Sequence, residues 1–184
     1  MIRSILIVAL IAAALGQSVV GQTPTRPAAT KQAGAAPSGM QVHANLLQLM
    51  RGIIYPASNV IFAAQGDNPA DVKPAKDPAT ATDPLASTYG GWMAVENAAL
   101  AMVEGANLLM IPGRKCANGI AVPMTNPDWP KFVQGLRDAG MKAYQAAQSK
   151  NQDNILEAAD VVTTACANCH NKWREKPTLA DRCK

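Results

Sequence analysis

The chain has 184 residues, of which 16% are charged, a formal net charge of +4 and four cysteines. This length supplies one domain with a sizeable core, and the modest positive balance forms no dense basic stripe, which argues against a nucleic-acid binder. With two histidines and no Gly-rich phosphate loop, no substrate-sized catalytic constellation can be assembled, so the chain is read as a non-enzyme.

Residues 1–21 read as a secretory signal peptide. Arg3 gives the positive start, Ile5 to Leu15 is an apolar run of eleven residues, and small residues follow. The run is short of the ~20 apolar residues that a membrane span wants, so no stable span is expected after cleavage. Removing the signal takes away Arg3 and leaves 16 basic against 13 acidic residues, a net of +3. Residues 22–37 carry Pro, Ala, Thr and Gly with almost no large apolar groups, and read as a flexible tether. The remainder, 38–184, forms the domain and a C-terminal tail.

Four stretches keep an apolar seam at spacings of three and four, which predicts four helices. The first covers about 39–64, with Ser38 and Gln41 resembling a capping box. Its seam is His43, Leu46, Met50, Ile53, Ala57, Val60 and Ala64, and Pro56 predicts a kink at the unpaired carbonyl of Gly52. A long irregular loop with four prolines follows, over 66–87. The second helix covers about 88–110, with Trp92, Val95, Ala99, Met102, Ala106 and Leu109 inward. The third covers about 128–149, with Trp129, Phe132, Leu136, Ala139, Ala143 and Ala147 inward, capped by Asn126-Pro127-Asp128. The fourth covers about 153–174, with Ile155, Ala159, Val162, Cys166, Cys169 and Trp173 inward. No strand pattern competes. The fold class is all-α, an antiparallel up-down-up-down four-helix bundle. Its seams are rich in alanine and its aromatic content is only 4%. A bound apolar group in the core would supply the missing volume.

The fourth helix carries Cys166-Ala167-Asn168-Cys169-His170. C-x-x-C-H is the attachment signature of a c-type haem. Positions i, i+3 and i+4 share one helix face, so both thiols and the imidazole point the same way. The sulfurs of Cys166 and Cys169 can form thioethers, and His170 can reach the iron as proximal ligand. A thioredoxin-like pair would need a βαβ setting, and a closed zinc site needs four ligands, with no second C-x-x-C pair to supply them. Subtracting two haem thiols leaves Cys116 and Cys183. In an exported protein such an even remainder favours a disulfide. The second and fourth helices run the same way, so the segments after them meet at one pole.

A C-terminal C-x-x-C-H on the last helix of a bundle, followed by Trp173 and Arg174, resembles the class II c-type cytochromes, the group of cytochrome c-prime and its low-spin relatives. The resemblance covers about 38–176. The long 66–87 loop, the Cys116 segment and the tail depart from the family's compact pattern. In its low-spin branch a Met at the depth of Met50 on the first helix is the sixth iron ligand, and in its five-coordinate branch an apolar residue blocks that place. Here Leu46, Leu47 and Leu49 surround Met50, so both outcomes have candidates. His43, one heptad before Met50, is the other imidazole.

Arg174 is expected near the proximal imidazole or a propionate, Arg51 near a propionate from the distal side, and Trp173 against the haem edge. Lys172 is expected in solvent. The function implied is an extracytoplasmic, periplasmic monohaem cytochrome that carries single electrons between redox partner proteins. The alternative is a five-coordinate protein binding nitric oxide or carbon monoxide. A third class is an interaction subunit docked on a larger redox enzyme. Relatives of this class are often dimers through their first two helices, which makes a second copy one candidate partner.

Overall fold

A computed structural model of the chain describes residues 39–183. The signal segment 1–21 and the tether 22–37 lie outside the described residues. The fold is all-α. Helix α1 spans Leu46–Gly66, α2 Trp92–Leu108, α3 Asp128–Ser149 and α4 Gln152–Cys169. Three 3-10 turns, Pro78–Thr80, Pro84–Ala86 and Leu179–Asp181, interrupt the connecting loop and the tail. The extended backbone among the described residues amounts to one isolated bridge, Lys115 to Ala121.

The first helix begins later than the periodicity predicts. Its capping box is Asn45 with Gln48, each side chain bonding the other's backbone N–H at 2.9 Å. His43 therefore precedes the helix and is exposed, off the seam expected for it. The kink expected at Pro56 is instead a π turn, Met50–Ile54, in which the Tyr55 N–H donates to the Met50 carbonyl. Pro56 has no N–H to give, and its ring would crowd the Gly52 carbonyl in a regular α turn. The wider turn just before it relieves that conflict. One extra residue enters the turn, so the apolar stripe skips a step. Leu46, Leu49, Ile54 and Ala57 are buried, while Met50 and Ile53 are half-buried.

Helix α2 starts at Trp92, four residues after the expected start. Each inward residue named for it is buried, Leu109 just beyond its end included. Helix α3 has the bounds the periodicity predicts. The Asn126 side chain accepts from the Asp128 N–H at 3.0 Å, and Asp128 places a carboxylate in the first turn. Lys150, left-handed at φ 51°, ends the helix. Asn151 at once caps α4, accepting from Asp153 and Asn154. So tight a connection sets α3 and α4 side by side. Past Cys169 the chain runs on into a second π turn, His170–Arg174, closed by the Glu175 N–H on the His170 carbonyl at 2.9 Å. Lys172, expected in solvent, pairs with Asp128 at the start of α3 and lies over the Trp173 ring at 5.5 Å.

Each helix packs on its chain neighbour, and α1 also packs on α4. By length and apolarity alone α1 could span a membrane; here its Ile61 and Ala64 are fully buried in the core. Alanines from all four helices, among them Ala64, Ala99, Ala106, Ala143, Ala147 and Ala159, lose all exposure. Small residues let the backbones close up. At Gly140 an added Cβ would sit 2.7 Å from Val103 Cγ2 and 3.2 Å from the Ala99 carbonyl oxygen, whereas at Gly135 it would meet nothing within 4 Å.

The loop after α2 and the tail are joined by a disulfide, Cys116–Cys183, with Cα atoms 5.0 Å apart and a sequence separation of 67. Closing a loop of this size contributes about 4 kcal/mol by the chain-entropy argument. Two alanine substitutions on α3 separate close packing from helix propensity. Gly140→Ala should lose about 1–3 kcal/mol, because the Ala99 backbone cannot yield. Gly135→Ala should gain up to about 1 kcal/mol. Urea unfolding of both variants measures the contrast, and equal effects would show that the α2–α3 approach imposes no limit.

Candidate functional site

A cavity of about 470 Å³ opens between α1, the start of α3 and the end of α4. Its size falls within the roughly 300–1,000 Å³ of small-molecule sites. Both π turns contribute to its lining. From the first come Met50, Arg51 and Ile54; from the second, His170, Trp173 and Arg174. π turns inside helices often mark functional sites, because they turn side chains off the regular stripe.

One wall is α1, with Leu46, Leu47, Met50 and Ile54. The end of α4 also lines the cavity, with Ala165, Cys166, Cys169 and His170. The base is apolar, with Leu109, Val133 and Leu136. An aromatic cluster closes one side. Trp173 meets Trp129 edge-on at 5.0 Å and Phe132 at 5.3 Å between centroids. The Trp129 indole N–H donates to the Leu109 carbonyl at 3.2 Å, so its polar edge is satisfied inside the core. Exposed Arg51, Tyr55, Arg174 and Glu175 stand at the mouth.

Of the residues singled out from the sequence, the structure brings Cys166, Cys169, His170, Met50, Trp173, Arg174, Arg51 and Cys183 to this one cavity. It does not bring Cys116, which is buried in the bridge behind Cys183, or His43. Among the further lining residues that sequence reasoning passed over are Ser58, Glu175 and Arg182. Ser58 is buried on α1 and donates to the Tyr55 carbonyl at 2.9 Å. Glu175 pairs with Arg174 at 2.5 Å. Arg182 donates to the Lys176 carbonyl at 2.5 Å. The signal for Arg182 was present, since a Cys116–Cys183 bridge draws its neighbour to the same pole.

Cys166 and Cys169 are free and half-buried. Burial pushes the Cys166 thiol up, with Arg174 acting against it. Burial, and then the neighbouring Cys166, push Cys169 up to about 11. Burial and then Arg174 lower His170, opposed by Glu175. At neutral pH the site therefore holds two protonated thiols and a neutral imidazole, the form that ligates metals. The disulfide uses the other two cysteines, and among the described residues no cluster of His, Cys, Asp or Glu is arranged to hold a metal ion. A closed zinc site thus lacks its ligands.

Against protein-family models, curated proteins and solved structures, the chain finds no match in any of the three comparisons.

The raised thiols set a pH dependence. With both thiols free, Cys169 should resist alkylation at pH 7–8 and react faster as the pH nears its value of about 11. The folded state then holds its proton above the ordinary thiol value of 9.0, so stability is full below that pH and falls as the pH climbs from there toward 11. Mass-spectrometric alkylation rates and unfolding curves across this range measure both. A Cys169 that reacts at pH 7 like an unhindered thiol would contradict the burial described here.

Proposed function

We propose that this chain is an exported monohaem c-type cytochrome, an antiparallel up-down-up-down four-helix bundle that carries single electrons between redox partner proteins. One observation carries the reading: two free thiols, a neutral imidazole and a Met thioether converge on one apolar cavity of about 470 Å³. The residues suit the group that C-x-x-C-H implies. The apolar base and walls accept a flat hydrophobic ring system, and the arginines at the mouth suit its carboxylates. The resemblance to class II c-type cytochromes points the same way.

In this reading Cys166 and Cys169 would hold the haem through thioether sulfurs. His170 would supply a nitrogen to the iron and Met50, on the other π turn, a thioether sulfur. Trp173, braced by Trp129 and Phe132, would help keep water from the site. Arg51 and Arg174 bind propionate oxygens, and Arg182 lies close enough to share that work. The bound haem supplies an iron that gains or loses one electron. Met/His ligation raises its reduction potential and leaves no open position, so the change costs little rearrangement. The remaining job of the chain is to hold those ligands still and dry. Export is supported by the signal-like residues 1–21 and by the Cys116–Cys183 bridge, which belongs to oxidising compartments.

A second reading rests on Leu46 and Leu47, which line the cavity beside Met50. An apolar distal wall of that kind would leave the iron five-coordinate and open to nitric oxide or carbon monoxide. Absorption spectra of the holoprotein, oxidised and reduced, with and without carbon monoxide, separate the two. The expected result is a low-spin spectrum with the far-red Met–ferric band and no carbon monoxide binding, both features lost in Met50→Ala. A high-spin spectrum that takes carbon monoxide and ignores the substitution would move the gas-binding reading to first place. Absence of covalent haem after export alongside a maturation system would defeat both.

A further inference from the structure

The distal wall of the cavity is held from outside by three consecutive residues. Arg114 is 5% exposed, a charged side chain buried in the core. Its partners are all backbone carbonyls. Nη1 donates to Ala44 at 2.5 Å, and Nε and Nη2 donate to Leu108 at 3.3 and 3.1 Å. Leu108 is the last residue of α2, so the guanidinium satisfies carbonyl lone pairs where the helix dipole favours a cation. Ala44 precedes the α1 cap. Next in sequence, the Lys115 carbonyl accepts from the Leu46 N–H at 2.8 Å. That N–H is in the first turn of α1 and has no partner within the helix. Third, Cys116 is bonded to Cys183, whose N–H donates to the Trp173 carbonyl at 2.9 Å. Residues 114–116 therefore grip the start of the helix that carries Met50. They also grip the turn that carries His170 and Trp173.

We infer that Arg114 is a positioning residue for the distal ligand. With Lys115 and Cys116 it forms a clasp that sets the separation between the Met50 and His170 turns. The inference rests on the Met/His reading above. Met50 stands one helical turn past Leu46 and opens the first π turn, so any loosening at Ala44 and Leu46 moves the Met sulfur directly. A planar fork with several donors is required, because Ala44 and Leu108 are held at once. Lysine would reach one of them. A weak sixth ligand whose anchor is loosened spends part of its time off the iron, and the apparent affinity of a competitor rises with that fraction.

Imidazole titration of the oxidised holoprotein tests this, with the far-red Met–ferric band followed in parallel. Arg114→Met should weaken the band and bind imidazole about tenfold more tightly than the wild type. Arg114→Lys should fall between them, and Cys116→Ser with Cys183→Ser should shift the same way. Ile155→Val, a buried change that does not line the cavity, should lower the melting temperature and leave band and imidazole affinity unchanged. Amide exchange at Leu46, whose acceptor is Lys115, should speed up in Arg114→Met and not in Ile155→Val. An Arg114→Met protein that stays helical by circular dichroism and matches the wild type in band and imidazole affinity overturns the inference. Should Arg114→Met not fold, Arg114→Lys decides by the same two readouts. A wild-type protein without the band defeats the Met50 assignment and the clasp with it, and does so before any substitution is made.

Discussion

The governing constraint is volume. Four helices with alanine at most of their fully buried positions can approach closely, and Gly140 against Ala99 marks how closely they do. Packing of that kind favours a narrow core. Toward the end of α4 and the first half of α1 the side chains change to Leu, Met, Phe and Trp, and the helices enclose a cavity. The same helices thus pack closely over most of their length and leave a cavity between α1, the start of α3 and the end of α4. The residues singled out for cofactor chemistry line that cavity. The small seam residues are the reason that a short domain can have both a dense core and a site large enough for a cofactor.

Opening a cavity between the helices leaves backbone groups and charges that need partners, and the loops meet that need. The segment after α2 satisfies the N-terminus of α1 and the C-terminus of α2 with one buried guanidinium and one carbonyl. The tail folds back so that the Asn118 side chain donates to the Ala180 and Arg182 carbonyls, and the disulfide fastens the two. Asp128 and Lys172 tie the start of α3 to the second π turn. Irregular chain here takes the place of helix packing around the opening.

How much of this was legible depends on the range of the forces involved. Helix α3 could be bounded from the chain because its signals are local: an apolar period kept throughout and an Asn-Pro-Asp start. The start of α1 was misread because Ser38-Gly-Met-Gln41 and Asn45-Leu-Leu-Gln48 offer the same capping pattern. Only contact with Lys115 selects the second. Pro56 announced a disturbance without saying whether the chain would bend or widen, so the shift of burial from Ile53 to Ile54 could not be foreseen. The Cys-x-x-Cys-His face was legible outright, since helical geometry alone aligns it. Arg114 was not, because nothing in a sequence tells a buried arginine with carbonyl partners from an exposed one.

The disulfide has a consequence for biogenesis. Four cysteines can pair in three ways, and the motif cysteines lie between the two that are joined, inside the loop they close. Oxidation of Cys166 with Cys169 would need no long-range folding at all, so the local pairing has a kinetic advantage that the finished protein must not realise. Burial works against it once the helices assemble. A thiol held at about 11 offers little thiolate, and thiolate is what attacks a disulfide. Packing α4 against its neighbours therefore sorts the sulfurs. Under oxidising conditions it would keep one pair reduced while the other is joined, which makes the order of folding and crosslinking part of what the sequence encodes.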